Sequence, residues 1–439
     1  MSSQLRLNIH NFGIIKDANI ELKKFNVVAG INDSGKSTLS KLLYCFLTAN
    51  SKEQNYLSNK NIDMRIKRLF DELYYNNNID LHTSKELLIL YDQIPNISAL
   101  LYDNEINKII NKLKNIINSS QLKNKNKYIT TLDDIKIALS TNKNVSDKYF
   151  SVANVLLNSE FNFYEFELKD DTKIQFHGNI NGEKFYHEII SEEDNIGFKF
   201  DNTGLNYLDF NNVIYIDSFS IFELNNTPNT LRLENLPYHL RFLSRIINYQ
   251  KNNDDIYDKK LNQKLDEIKK EIQHIIGGYF YFDDKNNEFI FKKQNKTFSM
   301  KNTALGIKQL GILQILLSNR MLNENSFLIL DEPEVNLHSQ WQVKLAKILV
   351  LLVKKLNIHL FINSHSSLFI EALEVYTTRY ELKNDINFYL TKLDESSDKY
   401  IFKQISYPNL FELYDNLGNP YDIIDEIRGE NIVNKLSGG

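Results

Sequence analysis

The chain has 439 residues, with 52 Lys and Arg against 56 Asp and Glu and a formal net charge of −4. That length can bury a large core, and the near balance of charge argues against wholesale electrostatic coating of nucleic acid while leaving room for a local basic patch. A single cysteine, Cys45, excludes an intramolecular disulfide and a multi-cysteine metal site and suits the cytoplasm; no apolar run approaches the ~20 residues of a membrane span, and Met1 to Asn11 carries no signal-peptide pattern.

Residues 4–29 alternate between apolar and polar (Leu5, Leu7, Ile9; Ala18, Ile20, Leu22) and predict antiparallel strands. Phe25, Val27 and Val28 then make a short buried strand that ends at Gly30. The stretch Gly30-Ile31-Asn32-Asp33-Ser34-Gly35-Lys36-Ser37 fits GxxxxGK[ST]. Glycines at both ends let the loop wrap with its backbone N–H groups facing an anion. The following helix begins at Gly35–Lys36, so its N-terminal dipole faces the same point. Lys36 places a charge on the β- and γ-phosphates and Ser37 offers a hydroxyl to Mg²⁺. Gly30, Asn32, Asp33, Ser34, Gly35, Lys36, Ser37 and Thr38 are the expected ATP-binding residues. Leu39, Leu42, Leu43, Phe46 and Leu47 recur at helical spacing, the context that the loop requires.

Residues 1–49 form the first part of the expected ATPase head. Residues 50–145 are polar with helical stripes (Leu87, Leu88, Leu90, Tyr91; Ile106, Ile109, Ile110, Leu113, Ile117) and predict an insertion. The Lys123–Lys127 run reads as a solvated linker. Residues 146–218 are β-rich: two or three short strands over 161–191, with turns at Asp170–Asp171 and Asn181–Gly182, then a buried strand at Val213–Ile216. Residues 219–299 predict a helical lobe over 235–276. A hairpin, Tyr279–Phe282 with Phe289–Phe291, follows Gly277–Gly278.

Residues 300–439 carry the rest of the head. The apolar strand Phe327 to Leu330 delivers Asp331 and Glu332 to its carboxyl end, where parallel sheets bind ligands. Asp331 is the expected Mg²⁺ ligand, and Glu332 the base that deprotonates the attacking water. Trp341, Leu345, Ile348, Leu349, Leu352 and Leu356 stripe a crossover helix. Ile358, Leu360 and Ile362 make a third strand, ending in Asn363-Ser364-His365. The position of His365 predicts contact with the γ-phosphate. A closing strand, Ile386–Leu390, its neighbour Tyr400–Ile405, and C-terminal helices around Phe411–Leu417 and Tyr421–Ile427 complete the reading. In that order the three motifs predict binding and hydrolysis of ATP.

The block Asp331-Glu332-Pro333-Glu334-Val335-Asn336-Leu337-His338 resembles the DEPE-x-x-LH block of ABC-type ATPases related to SMC, RecF and OLD proteins. Asn302-Thr303-Ala304-Leu305-Gly306-Ile307-Lys308-Gln309 is similar to their signature motif, and Asn363-Ser364-His365-Ser366 to their switch-histidine segment. The likeness covers residues 1–48 and about 300–440. It implies an α/β fold: a P-loop NTPase head of ABC type with a mixed central sheet and a helical insertion. It also implies a homodimer or higher oligomer, in which the signature residues Thr303, Ala304, Leu305 and Gly306 of one subunit face the ATP of the other. Leu305 stands where the family has serine, a departure that bears on the rate of hydrolysis; Gly306 and the helix N-terminus remain as donors, with Thr303 as a candidate for the missing hydroxyl. Leu436-Ser437-Gly438-Gly439 spells the start of a signature but reads as a tail.

Within that group, the compact bacterial members of anti-phage defence systems (Septu-type, retron-associated and PARIS-type) are the nearest resemblance. They imply a sensor or regulator of a separate effector nuclease, with a nucleic acid or phage-derived molecule as trigger and no membrane partner. Glu167-Leu168-Lys169 and Glu381-Leu382-Lys383 have the ExK spacing of some nucleases, but each reads as a solvated face. The alternative is a RecF- or SMC-like DNA-binding repair ATPase. A transporter subunit fits worst, because the interval from Lys36 to Gly306 is far too long for a simple transporter head.

Overall fold

In a computed structural model, the described residues are 4–51, 145–161, 171–180, 183–192, 195–202, 211–217, 236–247, 259–283 and 288–417, with a few single positions besides. Most of the 50–145 insertion, the linker at Lys123–Lys127, Glu167, the turns at Asp170 and Asn181–Gly182, most of Tyr421–Ile427 and the Leu436–Gly439 tail lie outside them. The chain divides into two compact units, 1–47 with 159–439, and 48–158.

The first unit is built on an eleven-stranded mixed sheet. Its strands are β1 (Gln4–Phe12), β2 (Ile15–Leu22), β3 (Phe25–Ala29), β4 (Lys173–Ile180), β5 (Glu183–Glu192), β6 (Asn195–Asn202), β7 (Asn212–Ile216), β11 (Ser326–Asp331), β12 (His359–Ser364), β13 (Ile386–Asp394) and β14 (Lys399–Ile405). The order is β6-β5-β4-β1-β2-β14-β13-β3-β12-β11-β7. From β13 to β7 every pairing is parallel. Here β3 and β11 are buried at every residue and β12 at all but its first, as expected where helices cover both faces. From β6 to β2 every pairing is antiparallel, and in β2 the buried Ala18, Ile20 and Leu22 alternate with the more accessible Asn19 and Glu21.

The sheet order corrects one expectation. The strand at Ile386 was expected to close the sheet; instead β13 and β14 stand in its interior, between β3 and β2. Strands adjacent in sequence are thereby separated by a hairpin from more than 350 positions further along the chain. The β-rich segment also holds a third strand, β6, beyond the range expected for it.

Helix α1 (Lys36–Ala49) follows β3. In α2 (Val145–Phe161), Tyr149, Val152, Ala153, Leu156 and Leu157 are buried at helical spacing. The lobe at 235–276 contains α3 (Tyr238–Ile247) and α4 (Lys259–Ile276). The hairpin gains a third strand, making a small sheet of β8 (Tyr279–Asp283), β9 (Glu288–Lys293) and β10 (Lys296–Ser299). Helix α5 (Leu305–Ser318) leads to β11, α6 (Ser339–Leu356) crosses to β12, α7 (Ser367–Arg379) crosses to β13, and α8 (Phe411–Asn416) follows β14. No helix of the described residues is long and apolar enough to cross a membrane.

Candidate nucleotide site

Four neighbouring parallel strands end on one edge. Leu330 pairs with Ile216 and with Ile362, Asp331 with Asn363, and Ser364 with Ala29. The residues that follow in each strand therefore form a row: Asp217, Asp331 with Glu332, Asn363 to His365, and Gly30. This is the carboxyl edge, where open α/β sheets bind ligands.

The loop after β3 folds as its sequence requires. Gly35 has φ +86°, and a Cβ there would lie 2.9 Å from Ile15 Cγ1, so neither the backbone nor the space admits a side chain. Asp33 also takes a positive φ of 58°. Ser34 Oγ donates to the Ile31 carbonyl at 2.8 Å, and Gly30 N donates to the Ser364 carbonyl at 3.2 Å, which ties the loop to β12. Lys36, 3% exposed, donates through Nζ to the carbonyls of Gly30 at 3.0 Å and Ile31 at 2.6 Å. Burial lowers its pKa; the charges of Glu332 and Asp331 act in the opposite direction.

Asp331, 8% exposed, is held on both oxygens. Oδ1 accepts from Asn363 Nδ2 at 2.8 Å and Oδ2 from Tyr215 Oη at 3.1 Å, with a further hydrogen bond to Ser37. Burial raises its pKa against those hydrogen bonds. Asn363 Nδ2 also reaches Ser40 Oγ at 2.7 Å, locking α1 to β11 and β12.

Glu332 has φ 48°, in the left-handed region that a non-glycine residue enters at a cost of about 1–3 kcal/mol. Its N–H donates to the Asn363 carbonyl at 3.0 Å. Oε1 sits 3.0 Å from His365 Nδ1 and 3.6 Å from Lys36 Nζ. The expected base, switch histidine and phosphate-binding lysine thus converge on one oxygen. Glu334 fixes the switch segment from beneath: its buried Oε1 accepts from Ser364 Oγ at 2.6 Å and from the His365 N–H at 3.3 Å.

A cavity of about 380 Å³ opens over this edge, lined by Asn32 through Thr38, Ile14, Asp217, Asp331 and Glu332. Its donors suit a nucleotide with Mg²⁺. Ser37 and Asp331, hydrogen-bonded to each other, are hard oxygen ligands, and the loop N–H groups and Lys36 suit phosphate. Among the described residues no group of three or more His, Cys, Asp and Glu is arranged to hold a metal by itself.

The signature segment is also a helix start. Ala304 is the N-cap of α5, without a side-chain cap, and Leu305 is 46% exposed. Thr303 Oγ1 donates to the Ser299 carbonyl at 3.0 Å, so its hydroxyl proton is already used within the chain. A Cβ on Gly306 would lie 2.7 Å from Leu337 Cδ2 and 3.7 Å from Trp341. Gln309 Nε2 donates to the Val335 carbonyl at 2.7 Å. The signature is thus seated on the block that carries Glu332. Of the ExK pairs, Glu381 is exposed and lies 4.0 Å from Lys354, whereas Lys383 sits over the Tyr407 ring.

Asp217, Tyr215, Glu334 and the buried pair Glu160 and His239 were not expected. Asp217 had a signal: it ends the apolar run Val213–Ile216 just as Asp331 ends its own. His239 and Glu160 had none, since each lies in an ordinary helical stretch.

Fold and site together define a P-loop ATPase of the α/β class. The family model of the AAA ATPase domain matches residues 5–370, and the chain belongs to that family. No curated protein matches it. Among solved structures it is similar to an SMC head domain from Thermotoga maritima, at 10% identity and a TM-score of 0.41, covering 92% of this chain and 99% of that one. It is also similar to an Smc head bound to the C-winged helix domain of ScpA, at 9% identity and 0.45, covering 93% and 98%. A third is an Smc head domain bound to the C-terminal domain of ScpA derived from Pyrococcus furiosus, at 10% and 0.43, covering 97% and 100%.

Proposed function

We propose that the chain binds ATP with Mg²⁺ in this cavity and hydrolyses it, and that ATP-dependent association of copies is its working cycle. The observation that carries this is the placement of Glu332 Oε1 between Lys36 and His365 at the rim of the phosphate loop. Glu332 takes a proton from the attacking water as the water oxygen bonds to the γ-phosphorus and the bond to ADP breaks. Lys36 turns from its loop carbonyls to the phosphate oxygens, and His365 holds the far side. Mg²⁺, when bound at Ser37 and Asp331, neutralises phosphate charge.

The start of α5 supports a second copy as the partner: Ala304 caps it without a side-chain hydrogen bond and Leu305 is exposed, where another subunit's nucleotide would meet the helix N-terminus. In biological terms we read the protein as a cytoplasmic sensor or regulator of a bacterial anti-phage defence complex, acting on a separate nuclease effector. This finer reading rests on the motif resemblance and on residues 50–145 and 235–276, to which the three nucleotide motifs assign no catalytic task. The domain boundaries given from sequence belong to the same proposal.

The test is ATP turnover and particle mass of the purified protein, with and without a non-hydrolysable ATP analogue. We expect turnover, and a mass increase with the analogue. A strict monomer in both conditions contradicts the shared site. DNA cleavage by the pure chain contradicts the separate effector, and strong stimulation by DNA alone favours the repair ATPase.

A further inference from the structure

Beside the nucleotide cavity lies a buried chain of charge that the three motifs do not account for. His239, in the first turn of α3, is 1% exposed. Its Nδ1 is 2.6 Å from Glu160 Oε2, and its backbone N–H donates to Glu160 Oε1 at 3.0 Å. The one carboxylate therefore grips the residue twice and sets the plane of the ring. Glu160 lies in the last turn of α2, its side chain fully buried. Neighbouring Ser159 Oγ accepts from Arg241 Nη2 at 3.1 Å, a second tie between the same two helices. Nε2 of the fixed ring lies 3.0 Å from Asp217 Oδ1. The rings of Tyr215 and Tyr44 stand 4.7 and 6.2 Å from the imidazole.

Asp217 is the end of this chain that meets solvent, 26% exposed, and it lines the cavity. Because Ile216 pairs with Leu330, Asp217 and Asp331 follow at the ends of adjacent parallel strands, which run about 4.8 Å apart. Their situations differ. Asp331 has both oxygens engaged by Asn363, Tyr215 and Ser37. Asp217 is held by one oxygen from behind and turns its other edge to the cavity. A buried Glu–His–Asp arrangement costs desolvation energy and is a poor device for stability. It is a good device for fixing the direction of a carboxylate, as the outer partners of metal ligands do.

We propose that Asp217 is a further member of the Mg²⁺–phosphate site, and that His239 and Glu160 are positioning residues that hold its carboxylate toward the hydrated ion. The inference rests on the MgATP reading above.

The test is Mn²⁺ binding by electron paramagnetic resonance in the presence of ATP, paired with ATP-analogue binding in EDTA. Asp217→Asn should weaken Mn²⁺ binding by about tenfold or more, and leave metal-free nucleotide affinity within roughly twofold, since the loop and Lys36 are untouched. His239→Gln should weaken Mn²⁺ in the same direction, and the double variant should be no worse than Asp217→Asn, because His239 acts through Asp217. Should His239→Gln not fold, Glu160→Gln makes the same comparison. A folded Asp217→Asn protein with wild-type Mn²⁺ affinity overturns the role of Asp217. Additive losses in the double variant overturn the positioning role. A wild-type chain that binds no nucleotide with Mn²⁺ instead removes the underlying MgATP reading.

Discussion

The cluster at the carboxyl edge of the sheet and the start of α5 differ in how they are held. At the carboxyl edge of the sheet, Lys36, Asp331, Glu332, Asn363 and His365 are joined by polar contacts among themselves, most of them buried. The segment Thr303 to Gly306 is seated by the close approach of Gly306 to Leu337, and Leu305 is exposed. The first region is assembled within one chain: its polar groups hold one another in place, and burial makes each contact stronger. The second is prepared in shape only. In the assembly proposed above, a second nucleotide-bearing subunit meets this segment at Leu305 and the start of α5.

That contrast can be broken most forcefully at the edge. Lys36→Ala removes the one ammonium of the phosphate loop, and nucleotide binding should fall below detection by calorimetry. Retained micromolar affinity would mean that the loop N–H groups carry the site. Glu332→Gln should keep affinity while turnover falls by about 10²–10⁴-fold, the usual contribution of a general base; single-turnover phosphate release measures it, and near-normal turnover removes Glu332 from the role.

The signature should respond differently. Gly306→Val crowds Leu337 and should cost about 1–3 kcal/mol by overpacking, seen in thermal unfolding before any ligand is added. Leu305→Ser lies at an exposed position and should change stability by no more than ~0.5 kcal/mol. It should nevertheless raise turnover, in proportion to protein concentration, if the segment acts on a partner's nucleotide. Equal stimulation at all concentrations would place its action within one chain.

An effect read from pH alone lies at the opposite edge of the same sheet. His359 begins β12, stacked on Phe327 at 5.8 Å, and burial pushes its pKa down to about 4 from 6.5. Below about pH 6.5 the unfolded chain takes up a proton that the folded one refuses, so stability falls as pH drops from 6.5 toward 4. His359→Phe should flatten that part of the melting-temperature profile. An unchanged slope would assign the acid sensitivity elsewhere, with His187, lowered to about 3 by burial, the next candidate.

The phosphate loop, Asp331 and Glu332, and the switch segment were legible in the sequence because each is a local device: a glycine turn opening a helix, or an apolar strand ending in a carboxylate, reads from a few consecutive residues. The parallel core strands were legible for the same reason. The placement of β13 and β14 between β3 and β2 was not, since strand order depends on which edges meet in space and apolar runs look alike wherever they pair. Thr303 shows the same limit on a smaller scale: its hydroxyl was a fair candidate by sequence, and the turn before α5 committed it to Ser299. Glu160, His239 and Asp217 come from three separated stretches, and only Asp217, at the end of an apolar run, carries a local signal. The physical reason is that a buried charge has meaning only through its neighbours, and neighbours so far apart along the chain are chosen by the fold.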